Sequence, residues 1–162
     1  MSPTGDSEVV KAVNLSGSMI DQETRDQIAA ALAAAGADKL PGHLGFELIS
    51  IEEKRAVMRC EIQPFHAAPN GYLHAGSIIS LADTCAGYGC VGNLPEGANS
   101  FTTIEMKANF FSTLLEGTIL ATANMAHGGR TTQVWDVEVG DETSGRPLAL
   151  FRCTQLILYP RT

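Results

Sequence analysis

The sequence predicts an α+β domain in which one antiparallel sheet curls around a single buried helix. Three observations carry this expectation. Residues 74 to 92 form a helix-like run that is apolar or small almost all round, with Ile78, Ile79, Leu81, Ala82, Cys85, Ala86, Gly87 and Val91. A helix without a polar face is a buried one. Six strand-like runs flank it, two before and four after. Turn signals at Asn70-Gly71, Pro95-Glu96-Gly97 and Gly128-Gly129 punctuate these runs, and no repeat, linker or low-complexity stretch divides the chain. Strands segregated around one helix suit an α+β layer architecture.

Taken in order, residues 1 to 17 are polar, lack periodicity and read as a loose tail, so the domain is expected to run from 18 to 162. An extra N-terminal helix is predicted over 19 to 35. Asp21 lies in its cap region, Ile28, Ala31, Leu32 and Ala35 form one stripe, and Gly36 is the stop. Pro41-Gly42 marks a turn. Two strands between Leu44 and Ile62 are separated by Glu52-Glu53-Lys54-Arg55, as in a hairpin. Residues 64 to 71 form a loop, and the central helix opens near His74 to Gly76. In the third strand Ile104, Met106, Ala108 and Phe110 oppose Thr103, Glu105, Lys107 and Asn109. The fourth sets Ile119, Ala121, Ala123 and Met125 on one face, and the fifth sets Gln133, Trp135, Val137 and Val139 there. The last run, Leu148 to Leu158, is apolar on both faces, as a central or interface strand is.

Composition narrows the function. The chain has 162 residues, 44% hydrophobic and 18% charged, which fits a globular domain with an ample core. A net charge of -7 without a basic run argues against nucleic-acid binding. No apolar stretch reaches membrane-spanning length, so no membrane is expected as a partner. The N-terminus has no basic segment leading into an apolar core, so no secretory signal is expected. Cys60, Cys85, Cys90 and Cys153 include no CxxC pair and read as reduced core cysteines of a cytoplasmic protein.

One residue breaks the apolar run. Between Glu61 and Glu96 the only acidic or basic side chain, histidines aside, is Asp83. It shares a stripe with Ile79, Ala86, Gly87 and Cys90. A lone carboxylate in such surroundings is costly unless paired, neutralised or used, which makes it the first candidate for function.

The stretch Gly71-Tyr-Leu-His74-Ala-Gly76, followed by Leu81-Ala-Asp83-Thr84, closely resembles the His-Gly-Gly…Leu-Ala-Asp-Thr signature of the phenylacetate-pathway-type (PaaI-like) acyl-CoA thioesterases. These belong with the 4-hydroxybenzoyl-CoA thioesterase superfamily of hotdog-fold enzymes. The run Thr103-Ile-Glu-Met-Lys…Phe110-Phe111 also resembles their third strand, and the similarity covers roughly residues 40 to 160. The resemblance implies a hotdog fold and hydrolysis of an aromatic or medium-chain acyl-CoA without metal or redox cofactor. It implies Asp83 as general base or nucleophile, the backbone amide of Ala75 as the group that polarises the thioester carbonyl, and Thr103 as a hydroxyl that helps place water. The sequence departs from the family pattern twice. Ala75 stands where the family usually has Gly, and Ala68 stands where it often has Asn or Gln. Asn70 is the nearest residue able to replace that amide.

The same site follows from physical reasoning. Thioester hydrolysis needs an activated water or a nucleophile, with donors aimed at the developing oxyanion. A helix N-terminus offers free N–H groups at the favourable end of its dipole, and Ala75 and Gly76 sit there. Eight residues of helix separate Ala75 from Asp83, a rise of about 12 Å. Both groups must reach one reacting carbon, which two antiparallel helices from two chains can arrange. A homodimer with two shared sites is therefore expected, and the two-faced final strand suggests a homotetramer as a dimer of dimers. His74 can act by positioning the helix start, since the amide after it works without the imidazole. Arg130, after the Gly-Gly turn, can reach a coenzyme A phosphate.

Two rival functions remain on this scaffold. A hydroxyacyl-thioester dehydratase would pair His74 with Asp83, yet the Phe-Pro that follows the histidine in that pattern is absent. A non-catalytic acyl-CoA binding module would need the pocket and no carboxylate, so the presence of Asp83 argues against it.

Overall fold

The computed structural model describes residues 20 to 160; the tail expected over 1 to 17 lies outside them. Its elements are α1 (Gln22–Gly36), α2 (Leu40–His43), β1 (Phe46–Glu52), β2 (Arg55–Glu61), α3 (Ala75–Val91), β3 (Ser100–Phe110), β4 (Thr118–Gly128), β5 (Thr132–Asp141) and β6 (Pro147–Leu158). The six strands form one antiparallel sheet in the order β1-β2-β4-β5-β6-β3. α3 packs along the inner face of the sheet, so the core lies between helix and strands. This is the hotdog architecture that the resemblance implies.

The strands bury the faces their alternation selects. Ala56, Met58 and Cys60 of β2, Ile119, Ala121 and Ala123 of β4, and Trp135, Val137 and Val139 of β5 are buried. Trp135 lies against Gly89, where a Cβ would come within 2.9 Å of the indole ring, so helix and sheet approach closely only with glycine there. All four cysteines are buried and free. No helix among the described residues is long and apolar enough to cross a membrane.

Four local expectations are corrected. α1 begins at Gln22 rather than 19, because Asp21 is the cap itself and accepts from Thr24 N at 2.8 Å. Its buried stripe is Arg25, Ile28 and Leu32, while Ala35 is exposed. Arg25 keeps a partner in this position: its Nε donates to the Gly92 carbonyl at 3.3 Å, placing a cation at the C-terminal end of α3. The Pro41-Gly42 turn is the interior of the short helix α2, where proline fits the first turn. Arg55 belongs to β2, and the hairpin turn is Glu53-Lys54.

The fourth correction bears on the site. β3 carries an irregularity between Thr103 and Glu105. Before it, Phe101 and Thr103 pair with Ile157 and Gln155; after it, Met106, Ala108 and Phe110 pair with Cys153, Phe151 and Ala149. These β6 partners are all buried, so both sets lie on the inner face, and Thr103 does not oppose Met106 as simple alternation predicts. β3 is also a sheet edge, and α3 does not cover its far half. Met106 is 47% exposed and Phe110 44%.

Candidate active site

α3 starts where a buried histidine fixes the chain. His66, in the 3-10 turn Pro64–His66, accepts from Gln63 N through Nδ1 at 2.9 Å, so Nε2 carries the hydrogen and donates to the Leu44 carbonyl at 2.9 Å. Its own carbonyl accepts from His74 N at 2.9 Å and from Ser77 Oγ at 3.0 Å. The approach to α3 is therefore tied to the turn between α2 and β1. In sequence, residues 64 to 71 read as a plain loop, because His66 acts through Leu44, far away in the chain.

At the helix start the two candidate donors differ. His74 is the N-cap, and its Nδ1 accepts the Gly76 N–H at 2.8 Å. The Ala75 N–H has no acceptor among the described residues, and Ala75 is exposed. The structure thus leaves Ala75 as the donor available to an incoming oxygen, with Gly76 already engaged.

Asp83 lies two turns further along α3 and is half-buried. Burial pushes its carboxyl above its ordinary value, and the Thr103 hydroxyl pulls it back. Thr103 Oγ1 lies 3.3 Å from Asp83 Oδ1 and 2.9 Å from Gln155 Oε1. The structure therefore brings Asp83 and Thr103 together, through the β3 irregularity that turns Thr103 toward the helix. Gln155 joins them, and sequence reasoning missed it because the last run reads as wholly apolar.

Within one chain the remaining candidates lie elsewhere. α3 is a continuous helix, so Ala75 and Asp83 stay about 12 Å apart along its axis. Asn70 is exposed in a tight turn, and its Oδ1 accepts from Tyr72 N at 3.2 Å. Ala68 N donates to the Tyr72 carbonyl at 2.7 Å in the same turn. Arg130 sits in the β4–β5 turn with its guanidinium 5.4 Å from the centre of the Tyr159 ring. It lines a cleft of about 770 Å³ with Asn93, Leu94 and His127, beyond the C-terminal end of α3 and away from Ala75. Among the described residues no group of three or more His, Cys, Asp or Glu side chains is placed to hold a metal.

Comparison with known proteins agrees with this fold. The family model described as Thioesterase superfamily matches residues 70–147. A 1,4-dihydroxy-2-naphthoyl-CoA hydrolase of Listeria monocytogenes is 34% identical over 111 residues, 68% of this chain and 89% of that protein. The acyl-coenzyme A thioesterase PaaI of Escherichia coli is 31% identical over 109 residues, 67% of this chain and 75% of its own. The solved structure of the E. coli PaaI protein superposes with a TM-score of 0.74 at 26% identity, covering 85% of this chain and 96% of the other.

Proposed function

Because the chain belongs to the thioesterase superfamily, we propose that it hydrolyses an aromatic or medium-chain acyl-CoA at a site shared by two copies of the chain. The observation that carries this reading is Asp83: a half-buried carboxylate on an apolar helix, in contact with a hydroxyl and raised in proton affinity by burial. The named activities of the relatives, an aryl-CoA hydrolase and an acyl-CoA thioesterase, support the substrate class.

In this mechanism the thioester carbonyl oxygen points at the Ala75 N–H of one chain. Asp83 of the other chain acts on the carbonyl carbon, as base on a water or as nucleophile. As base it takes the water's proton while the oxygen forms the new C–O bond. The carbonyl electrons move onto oxygen, where the amide and the helix dipole stabilise the charge. Collapse of the tetrahedral centre breaks the C–S bond, and the departing thiolate takes the proton that Asp83 had accepted, which returns the carboxylate to its starting state. Thr103 holds the carboxylate in place throughout.

Three features support the dimer. The helix separation denies one chain a complete site. The apolar edge of β3, with Met106 and Phe110 half-exposed, is the kind of strand edge that proteins cover by pairing. An antiparallel partner across that edge runs a second α3 alongside the first. Leu150 and Leu158 on the outer face of β6 offer a further apolar surface for a dimer of dimers. Arg130 and Lys54 line the cleft beyond α3 and offer cations for coenzyme A phosphates.

The test is thiol release across a panel of aromatic and aliphatic acyl-CoA thioesters, with Asp83→Asn beside the parent. Release from a saturated acyl-CoA by the parent and its loss in Asp83→Asn are expected. A parent that leaves every saturated thioester intact contradicts the reading and favours a dehydratase or a binding module.

A further inference from the structure

Gln155 is fully buried on β6, at a position where the alternation Phe151, Cys153, Ile157 calls for an apolar side chain. A buried amide is costly unless both ends are bonded. Here both are: Thr103 Oγ1 donates to Gln155 Oε1 at 2.9 Å, and Gln155 Nε2 contacts Cys153 Sγ at 3.3 Å. Neighbouring Gln133 has its own partners, Trp135 Nε1 and the Asn93 carbonyl, and takes no part. Thr103 lies directly across the ladder from Gln155.

The hydroxyl of Thr103 has one hydrogen and two acceptors beside it, Gln155 Oε1 and Asp83 Oδ1 at 3.3 Å. When that hydrogen goes to Gln155, Thr103 meets Asp83 with a lone pair, which suits a carboxyl that carries a proton. When Asp83 is ionised the chain can run the other way, with Thr103 donating to the carboxylate and the amide turned to donate to Thr103. We propose that Gln155 is a positioning residue for Asp83, acting through Thr103: by competing for the one hydroxyl hydrogen it supports the protonated carboxyl that base catalysis creates. This rests on Asp83 serving as the base of the proposed thioesterase.

Few other groups bear on that carboxyl. From β3 it faces Thr103, and from β6 it faces Cys153, whose thiol burial and the Asp83 charge push up to about 12. On α3, burial keeps the Cys90 thiol protonated as well. Glu105 and Asp136 act on Cys153 from further out; Asp136 is paired with Arg152 at 2.5 Å, and Glu105 accepts from Thr154 at 3.3 Å.

The experiment is a ¹³C NMR titration of the full chain with labelled Asp side chains. The Asp83 signal is identified by its loss in Asp83→Asn. In Gln155→Met, a side chain of the same length, the Thr103 hydrogen has only Asp83 to bond. The Asp83 carboxyl then titrates at lower pH than in the parent, and the acidic limb of the kcat profile moves the same way. In a Thr103→Val background, Gln155→Met leaves the Asp83 titration where Thr103→Val alone puts it. That pair removes the Thr103–Gln155 hydrogen bond from both ends, so neither residue is left as the orphan of the other, and it stays measurable if the single Gln155 variant folds poorly; a shift within the Thr103→Val background overturns the route through Thr103. A Gln155→Met protein that loses thermal stability while Asp83 titrates as in the parent shows a merely structural glutamine and overturns the proposal. A titration shift in a protein that hydrolyses no thioester supports the positioning role and refutes the thioesterase reading alone.

Discussion

His74 distinguishes a cap from a catalyst. Its Nδ1 accepts the Gly76 N–H at 2.8 Å, at the second position of α3. His74→Ala removes that acceptor. Loss of an N-cap side chain costs about 0.5–2 kcal/mol. His74 is exposed, so water can reach the freed N–H, and the cost falls in the lower half of that range. For a domain of this size about 1 kcal/mol lowers Tm by ~2–4 °C. His74→Ser restores an oxygen acceptor at a position where serine is favoured, and should regain most of the loss. Thermal unfolding and thiol release are measured on both variants. The expected result is a Tm that follows the cap, with turnover well short of the ~10²–10⁴-fold loss that removal of an acid–base group produces. A loss of that size in both variants, irrespective of Tm, refutes the capping account and makes the imidazole a participant in the chemistry.

Ala75 is the first helical residue, and His74 before it is extended (φ -68, ψ 134), so proline is tolerated there and Ala75→Pro removes the N–H without breaking α3. Turnover should fall ~10²–10³-fold, the cost of losing one oxyanion donor, while Ala75→Gly keeps or raises it; normal turnover by a folded proline variant contradicts the donor assignment. Burial raises the Asp83 carboxyl in the folded state, so the unfolded chain ionises it first, and stability is lost as pH rises from the unfolded pKa through the folded one. Asp83→Asn should therefore melt above the parent at neutral pH, the gap closing as pH falls below the ordinary carboxylate range; equal Tm throughout contradicts the burial effect. Met106→Lys places a charge on the exposed half of β3 and should yield a folded monomer by sedimentation, without activity; an unchanged dimer removes β3 from the interface.

Much of this was legible in the sequence because the pattern was local. α3 is apolar on every face, so its burial and the isolation of Asp83 follow from the run itself. β4 and β5 alternate cleanly, and their buried faces are the ones expected; β2 buries its expected face, with Val57 buried on the other side as well. What escaped depends on distant partners. Arg25 has no place in the predicted helix stripe, His66 reads as a loop residue and Gln155 sits in a run that reads as apolar, until Gly92, Leu44 and Thr103 are placed beside them. The irregularity in β3 shifts the phase of one strand without a glycine or proline to announce it, and only the register against β6 shows why Thr103 faces the helix while Met106 does too. Ala75 and Gly76 look equivalent as letters; the cap from His74 separates them.

The central claim is that each site takes Ala75 from one chain and Asp83 from another, and subunit complementation tests it most directly. Ala75→Pro and Asp83→Asn proteins, each inactive alone, are mixed after dissociation and allowed to reassociate. A mixed dimer holds one site with both residues intact and one with neither, as two-fold symmetry requires. Random pairing makes half of the dimers mixed, so thiol release should recover to about a quarter of the parent rate. A mixture that contains mixed dimers yet stays as inactive as its components contradicts the shared site.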